Sequence, residues 1–329
     1  MKLEDVGEKA LLELAQEICE EGPPVRVGIG DDGAAIEFEG KLLVATTDMI
    51  VEGVHFTLDS PIEQIGKKAV VINLSDLAAM GAKPLGLVYS LGAPGEMEVD
   101  FISDLLKAMN SSVRAHDTYL VGGDLNEAKE VIISGTAFGR VSQDELLLRS
   151  GARSGDLIGV TGDLGSSSAA TEALLKGLSL GDWKNLEDAL INPVARVAEG
   201  RVLSEDGRVT SAVDITDGLA ANLWQISRMS KVELVVDAKK IPVDESVLEF
   251  AEERNEDPEK FFLYGGEDFE LLFTTRPGSW EELNEKFRDL GTKVSNIGEV
   301  REGSKVLISR KGTLEELPDR GYEHFRSES

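Results

Sequence analysis

Seven stretches of this chain share one build: a short apolar run, then small residues, then an acid. They are "VGIGDD" with Asp31 and Asp32, "LLVATTD" with Asp48, "VINLSD" with Asp76, "YLVGGD" with Asp124, "LIGVTGD" with Asp163, "TSAVDITD" with Asp214 and Asp217, and "FLYGGED" with Glu267 and Asp268. Short apolar runs bounded by Gly, Ser and Thr suit strands. Strand-like runs fall at 41–47, 117–123, 130–141, 157–161, 209–214, 232–236 and 270–274. Apolar residues at helical spacing mark 3–20, 62–81, 99–115, 166–177, 194–204, 218–229 and 280–290. In the first of these helices the apolar face is Val6, Ala10, Leu11, Leu14, Ala15 and Ile18. Pro193 suits the first turn of the helix near 194–204. Strands and helices mix along the whole chain, which makes the fold class α/β.

With 329 residues there is room for two domains, each with its own core. The turn-rich stretch "LLLRSGARSGDLIGVTGDLG", residues 146–165, is the candidate boundary, giving domains 1–148 and 149–329. A hydrophobic content of 41% is that of a globular protein. No apolar run approaches the roughly 18 residues of a membrane span. The N-terminus "MKLEDVGEKALLELA" carries acids where a signal peptide needs basic residues and an apolar core. A cytoplasmic protein with no membrane partner is therefore expected. A net charge of −27 repels phosphate backbones and argues against nucleic acid. Cys19 is the only cysteine, so an internal disulfide and Cys-based zinc sites are excluded. Its place on an amphipathic stretch predicts a buried small residue.

One Asp beside Gly is an ordinary turn. Seven acid-bearing stretches are harder to read so, because Asn or Ser would serve a turn as well. A cation store explains them better. Mg²⁺ takes oxygen ligands and is commonly held by a few carboxylates plus substrate phosphates. Small neighbours let phosphate approach backbone N–H groups. Other nucleotide and hydrolase devices are missing: there is no G-x-x-x-x-G-K-[ST], no H-R-D or D-F-G, no G-x-S-x-G and no H-E-x-x-H.

In chain order, "GIGDDGA", "TTDMIVEGVHF", "NLSDLAAMGAKPLG", "VGGDL", "RSGARSGD", "TGDLGSSSA", "DITDGLAANL" and "YGGEDFELLF" resemble the thiamine-monophosphate kinase family. That family lies in the superfamily of aminoimidazole ribonucleotide synthetase, selenophosphate synthetase and the hydrogenase-maturation dehydratase. The matching stretches span residues 28 to 273, with a weaker match in the tail "GYEHF". The resemblance implies two mixed α/β domains of the aminoimidazole ribonucleotide synthetase-like type. The first would carry metal and ATP and supply strands to a homodimer barrel. The second would complete the nucleotide and substrate site. It implies direct in-line transfer from ATP to thiamine monophosphate through several Mg²⁺ ions, with no phosphoenzyme. It also implies roles. Asp31, Asp48, Asp76, Asp124 and Asp214 would carry catalysis as metal ligands, joined by Thr46, Thr47 and Asp217. Gly123, Asp124, Arg149 and Thr216 would contact ATP. His55, Glu267 or Asp268, and Tyr322 in the tail would contact the acceptor.

Blander readings stand beside these. Asp32 and Asp163 are read as turn acids and left out of the site. Thr216 or Asp217 could simply cap the helix that follows. Arg149 could be a surface charge beside a turn. Phe269, Leu271 and Phe273 alternate as in a core strand. Rivals are other ATP-dependent members of the superfamily, a metal-dependent phosphatase and a non-catalytic nucleotide sensor. The selenophosphate and hydrogenase-maturation branches use a reactive Cys near one terminus. Here Cys19 lacks that setting and the chain ends "RSES".

Overall fold

A computed structural model describes residues 2–181 and 183–325. The end "RSES" and the side chain of Val6 lie outside what is described. The chain alternates strands and helices and builds two mixed sheets.

The first half runs α1 (Leu3–Ile18), β1 (Val25–Val27), β2 (Ala34–Phe38), β3 (Lys41–Val51), α2 (Ile62–Ala79), β4 (Lys83–Ala93), α3 (Val99–Ala115), β5 (Leu120–Glu127) and β6 (Ile132–Val141). Its six-stranded sheet has the order β1-β2-β3-β6-β4-β5. All neighbours are antiparallel except β4 and β5. β3 alternates in the period-2 manner: Leu42, Val44 and Ile50 are buried, whereas Met49 is 53% exposed. The buried side faces α2, and α3 packs on α2.

The second half runs β7 (Leu157–Thr161), α4 (Ser166–Leu175), α5 (Lys184–Ile191), α6 (Val197–Asp206), β8 (Val209–Ile215), α7 (Leu219–Ser230), β9 (Glu233–Asp237), α8 (Glu245–Arg254), α9 (Glu259–Phe262), β10 (Glu270–Thr275), α10 (Trp280–Leu290), β11 (Val294–Arg301), β12 (Val306–Arg310) and β13 (Thr313–Glu316). Its sheet has the order β13-β12-β9-β11-β7-β10-β8, antiparallel but for β9 and β12.

One element joins the halves. α2 lies on the first sheet and also meets α6, β8 and β10 of the second half. It is buried almost all round from Gln64 to Ala79, as a helix enclosed by other elements must be. Its last turn thereby reaches the end of β8.

Four expectations are corrected. α1 forms, but Gly7 (φ 77°) breaks its regularity, and Leu14 and Ile18 of the predicted apolar face are 48% and 68% exposed. Cys19 is exposed, because it follows that uncovered face. The helix expected at 194–204 begins at Val197, so Pro193 lies in the loop ahead of it. The strand expected at 117–123 is shifted to Leu120–Glu127, after a turn in which Asp117 takes φ 54°.

Candidate active site

Three carboxylates from distant parts of the chain converge where the halves meet. Asp32 follows β1, Asp76 sits in the last turn of α2, and Asp214 lies near the end of β8. One oxygen from each falls within 4.8 Å of the others. An acid in a helix's last turn faces the negative end of the dipole, so Asp76 is badly placed as a stabilising group. Asp214 is 1% exposed, and among the described residues neither of its oxygens has a well-formed hydrogen bond, although the Ser75 hydroxyl approaches it; Oδ2 of Asp32 has none either. Burying such groups unpaired costs several kcal/mol. A retained proton or a bound cation removes that cost.

The neighbours shape this cluster. Thr46 Oγ1 donates to Asp76 Oδ2. The Asp48 N–H donates to Asn73 Oδ1 at 3.2 Å, which ties β3 to α2. Asp31 accepts the backbone N–H groups of Asp32 at 3.1 Å and Arg149 at 3.3 Å, so it folds the loop that aims Asp32. Arg149 grips Asp32 Oδ1 through Nε at 3.0 Å and Nη2 at 2.5 Å. Burial, then the repulsion of neighbouring acids, pushes Asp76 and Asp214 well above the usual carboxylate range. Burial raises Asp32 and Asp48 as well, and pushes Asp31 and Asp217 up to about 6. This is an electrostatic debt that divalent ions would settle. Oxygen donors without nitrogen or sulfur suit a hard ion such as Mg²⁺.

A second group forms beside the first. The loop of Thr216 and Asp217 follows β8. The Thr216 carbonyl accepts the Glu267 N–H at 2.8 Å, and the Asp217 carbonyl accepts the Tyr322 N–H at 3.0 Å. Glycine permits both approaches: a Cβ on Gly266 would lie 2.3 Å from the Thr216 oxygen, and one on Gly321 would lie 2.3 Å from the Asp217 oxygen. The tail thus returns to the site. Tyr322 meets His324 edge-on with ring centres 4.9 Å apart, and His324 lies 5.4 Å from the His55 ring. Val51 donates its N–H to His55 Nδ1 at 3.1 Å, which leaves the neutral ring's proton on Nε2. Burial and the nearby Lys68 charge hold His55 below its ordinary pKa.

The placements differ from expectation at several residues. Asp32, set aside as a turn acid, joins Asp76 and Asp214, while Asp31 supports the loop. Arg149 is no surface charge; its guanidinium is committed to Asp32. The start of α7 is Gly218 with no side-chain cap, so neither Thr216 nor Asp217 acts as one. Asp163 pairs with Lys293. Asp268 accepts the Gly165 N–H at 2.9 Å, whereas Glu267 pairs with Lys68 on the His55 side. Phe269, Leu271 and Phe273 are core residues, as read. Thr47 and Asp124 are not brought to the cluster. Thr47 donates to the Gly135 carbonyl at 2.7 Å from the opposite side of β3. Asp124 shares a register row with Ser90, Ser134 and Met49, the row next to that of Asp48, and therefore the other sheet face. β6 and β4 intervene between β3 and β5, a separation of about 14 Å at the usual strand spacing. Gly123 is level with Asp48 but on that same distant strand. Lys68 and Asn73 were missed from sequence, and His324 was left as one of three tail aromatics. Lys68 and Asn73 lie inside a helical pattern and His324 beside Tyr322, where nothing in the spacing separates them from structural residues.

Residues 30–141 match the family model of the AIR synthase related protein, N-terminal domain, and residues 153–309 that of the C-terminal domain. The thiamine-monophosphate kinase of Pyrococcus horikoshii is 41% identical over 298 residues, 91% of each chain. That of Aquifex aeolicus is 30% identical over 329 aligned residues, covering 99% of this chain and 100% of the relative. The solved structure of AaThiL complexed with AMPPCP and TMP matches with a TM-score of 0.87 at 29% identity, over 98% of this chain and 99% of that one.

Proposed function

The chain belongs to the thiamine-monophosphate kinase family of AIR synthase related proteins, and on that premise we propose that it transfers the γ-phosphate of ATP to thiamine monophosphate, giving ADP and thiamine diphosphate. An oxygen of the acceptor's phosphate attacks the γ-phosphorus in line, and the bond to the ADP oxygen breaks. No protein nucleophile takes part.

The observation that carries this reading is the convergence of Asp32, Asp76 and Asp214, with three orphaned oxygens, beside the loop that holds Glu267 and Tyr322. Two anionic phosphates repel each other, and a protein that joins them must offset that repulsion. Asp32, Asp76 and Asp214, with Asp48 and Thr46 next to them, would hold Mg²⁺. When bound, Mg²⁺ supplies charge neutralisation between attacking and leaving oxygens. Arg149 keeps Asp32 in place and retains donor N–H groups for a nucleotide phosphate. Thr216 and Asp217 stand at the start of α7, where a helix N-terminus favours anions. His55, Glu267 and Tyr322 face the acceptor.

We also propose a homodimer, a cytoplasmic setting, and domains 1–148 and 149–329. β5 supports the dimer: it is a sheet edge, with Val121 60% and Leu125 69% exposed, and such an edge is a template for pairing. A second copy on this edge would also give Gly123 and Asp124, which lie away from the cluster in one chain, a site to join.

The test is a product balance. With ATP, Mg²⁺ and thiamine monophosphate, ADP and thiamine diphosphate should appear in equal amounts. Inorganic phosphate without thiamine diphosphate would instead mark a metal-dependent phosphatase. ATP binding without turnover would mark a sensor.

A further inference from the structure

Lys68 is a buried cation that the expected roles leave unused. It lies on α2, 6% exposed, among Ile65, Ala69 and other core residues. A lysine is seldom buried there unless it is paired. Its ammonium forms an ion pair with Glu267 Oε1 and donates to the His55 carbonyl at 2.9 Å. These two partners come from different halves of the molecule.

Glu267 has a second peculiarity. It is a non-glycine residue at φ 67°, a conformation that persists only where the surroundings hold it. Its N–H is fixed to Thr216 and its carboxylate to Lys68. The carboxylate is still 32% exposed, so it can meet a ligand while being held.

We propose that Lys68 is a positioning residue for the acceptor: it locks Glu267 and His55 into one unit that receives a cationic heteroaromatic ring. This rests on the functional reading above. Thiamine monophosphate has a cationic thiazolium and a flat aminopyrimidine. The Lys68 ion pair fixes one Glu267 oxygen and leaves the other for the acceptor. Burial first, and then the lysine's charge, disfavour protonation of His55 against the opposite pull of Glu267, so the ring beside the acceptor stays neutral. A protonated His55 would repel a thiazolium; a neutral one can stack with it.

The experiment measures KM for each substrate in wild type, Lys68→Met, Lys68→Arg, Glu267→Gln and the double variant Lys68→Met with Glu267→Gln. Lys68→Met should raise the acceptor KM about tenfold or more, roughly the weight of one charge-assisted contact. The KM for ATP should stay within about twofold, and the titration midpoint of His55, followed by NMR, should rise. Lys68→Arg should recover most of the acceptor KM. The double variant should be little worse than either single variant, since both break one unit. Glu267→Gln, at a partly exposed residue, tests the same unit should Lys68→Met fail to fold. An acceptor KM unchanged in Glu267→Gln, or in a folded Lys68→Met, overturns the proposal. So does equal loss for both substrates with an unmoved His55. In each of these cases wild-type turnover leaves the kinase reading standing. A wild type that binds ATP and makes no thiamine diphosphate overturns both.

Discussion

Asp32 meets both Nε and Nη2 of Arg149, and its carboxylate is fully buried. Asp214, close by, has no cationic group paired with it among the described residues and faces the carboxylates of Asp32 and Asp76. The two acids should respond oppositely to removal. Asp32→Ala leaves the part-buried Arg149 guanidinium without the carboxylate it grips, which typically costs about 1–3 kcal/mol. Urea unfolding should therefore show a clear loss of stability. A midpoint within error of the wild type would mean that the pair is not formed. At this scale much of the site is legible in sequence. The recurrent acids mark Asp48, Asp76, Asp214 and Asp217, and the motifs bring in His55 and Glu267. What spacing could not decide is which of two adjacent acids points inward. Asp31 and Asp32 differ by one peptide, and only the loop's fold, with Arg149 reaching across from residue 149, separates them. Lys68 was hidden for a related reason: a charge on a helix is normally solvated, and Glu267, the partner that holds it, lies far along the chain.

Among the elements, helices were read best. Those at 99–115 and 280–290 match Val99–Ala115 and Trp280–Leu290, because each is amphipathic and keeps one face exposed. Strands β1, β2, β4, β11, β12 and β13 and helices α5, α8 and α9 were overlooked; among them "KPLGLVYSLGA" opens on Lys-Pro and carries glycines, and β11 mixes polar with apolar residues. β5 was found, but the sheet face that Asp124 takes was not legible, since it depends on register with β4. The returning tail is the element whose role geometry clarifies most. Gly321 touches the Asp217 carbonyl so closely that any side chain must displace the tail or the loop. Gly321→Ala is expected to raise the acceptor KM about tenfold, equivalent to about 1.4 kcal/mol. The ATP KM should change less. Steady-state kinetics checks this, and unchanged acceptor binding would detach the tail from the site.

For the whole molecule, the acidic cluster couples stability to pH and to cations. Asp31 and Asp217 are pushed up to about 6, with Asp76 and Asp214 also raised. Between the unfolded value near 4 and these folded values, the native state binds more protons than the unfolded chain. Their contribution to stability therefore falls as pH rises through that window. Glu256 and Glu282, held low by lysine or arginine partners, act in the opposite sense but are not among the cluster's carboxylates and cancel in a comparison with and without Mg²⁺. Mg²⁺ should raise Tm by several degrees at pH 7.5 and by clearly less at pH 5. Equal shifts at both pH values would count against a site made of these carboxylates. Assembly should matter too. Leu125→Asp, which places a charge on the β5 edge, should shift sedimentation from two copies to one and lower activity. A variant that stays dimeric and active would move the interface elsewhere.

The most direct test of the central claim compares the rate of thiamine diphosphate formation from ATP, Mg²⁺ and thiamine monophosphate in the wild type and in Asp214→Asn. The wild type should form one thiamine diphosphate per ATP consumed. The variant should be slower by about 100-fold or more, the scale of losing a principal electrostatic contact to the reacting groups. Its Tm without Mg²⁺ should not fall, because the change removes a buried charge with no cationic group paired with it among the described residues. A variant within about threefold of the wild-type rate would contradict the account, and so would a wild type that consumes ATP without making thiamine diphosphate.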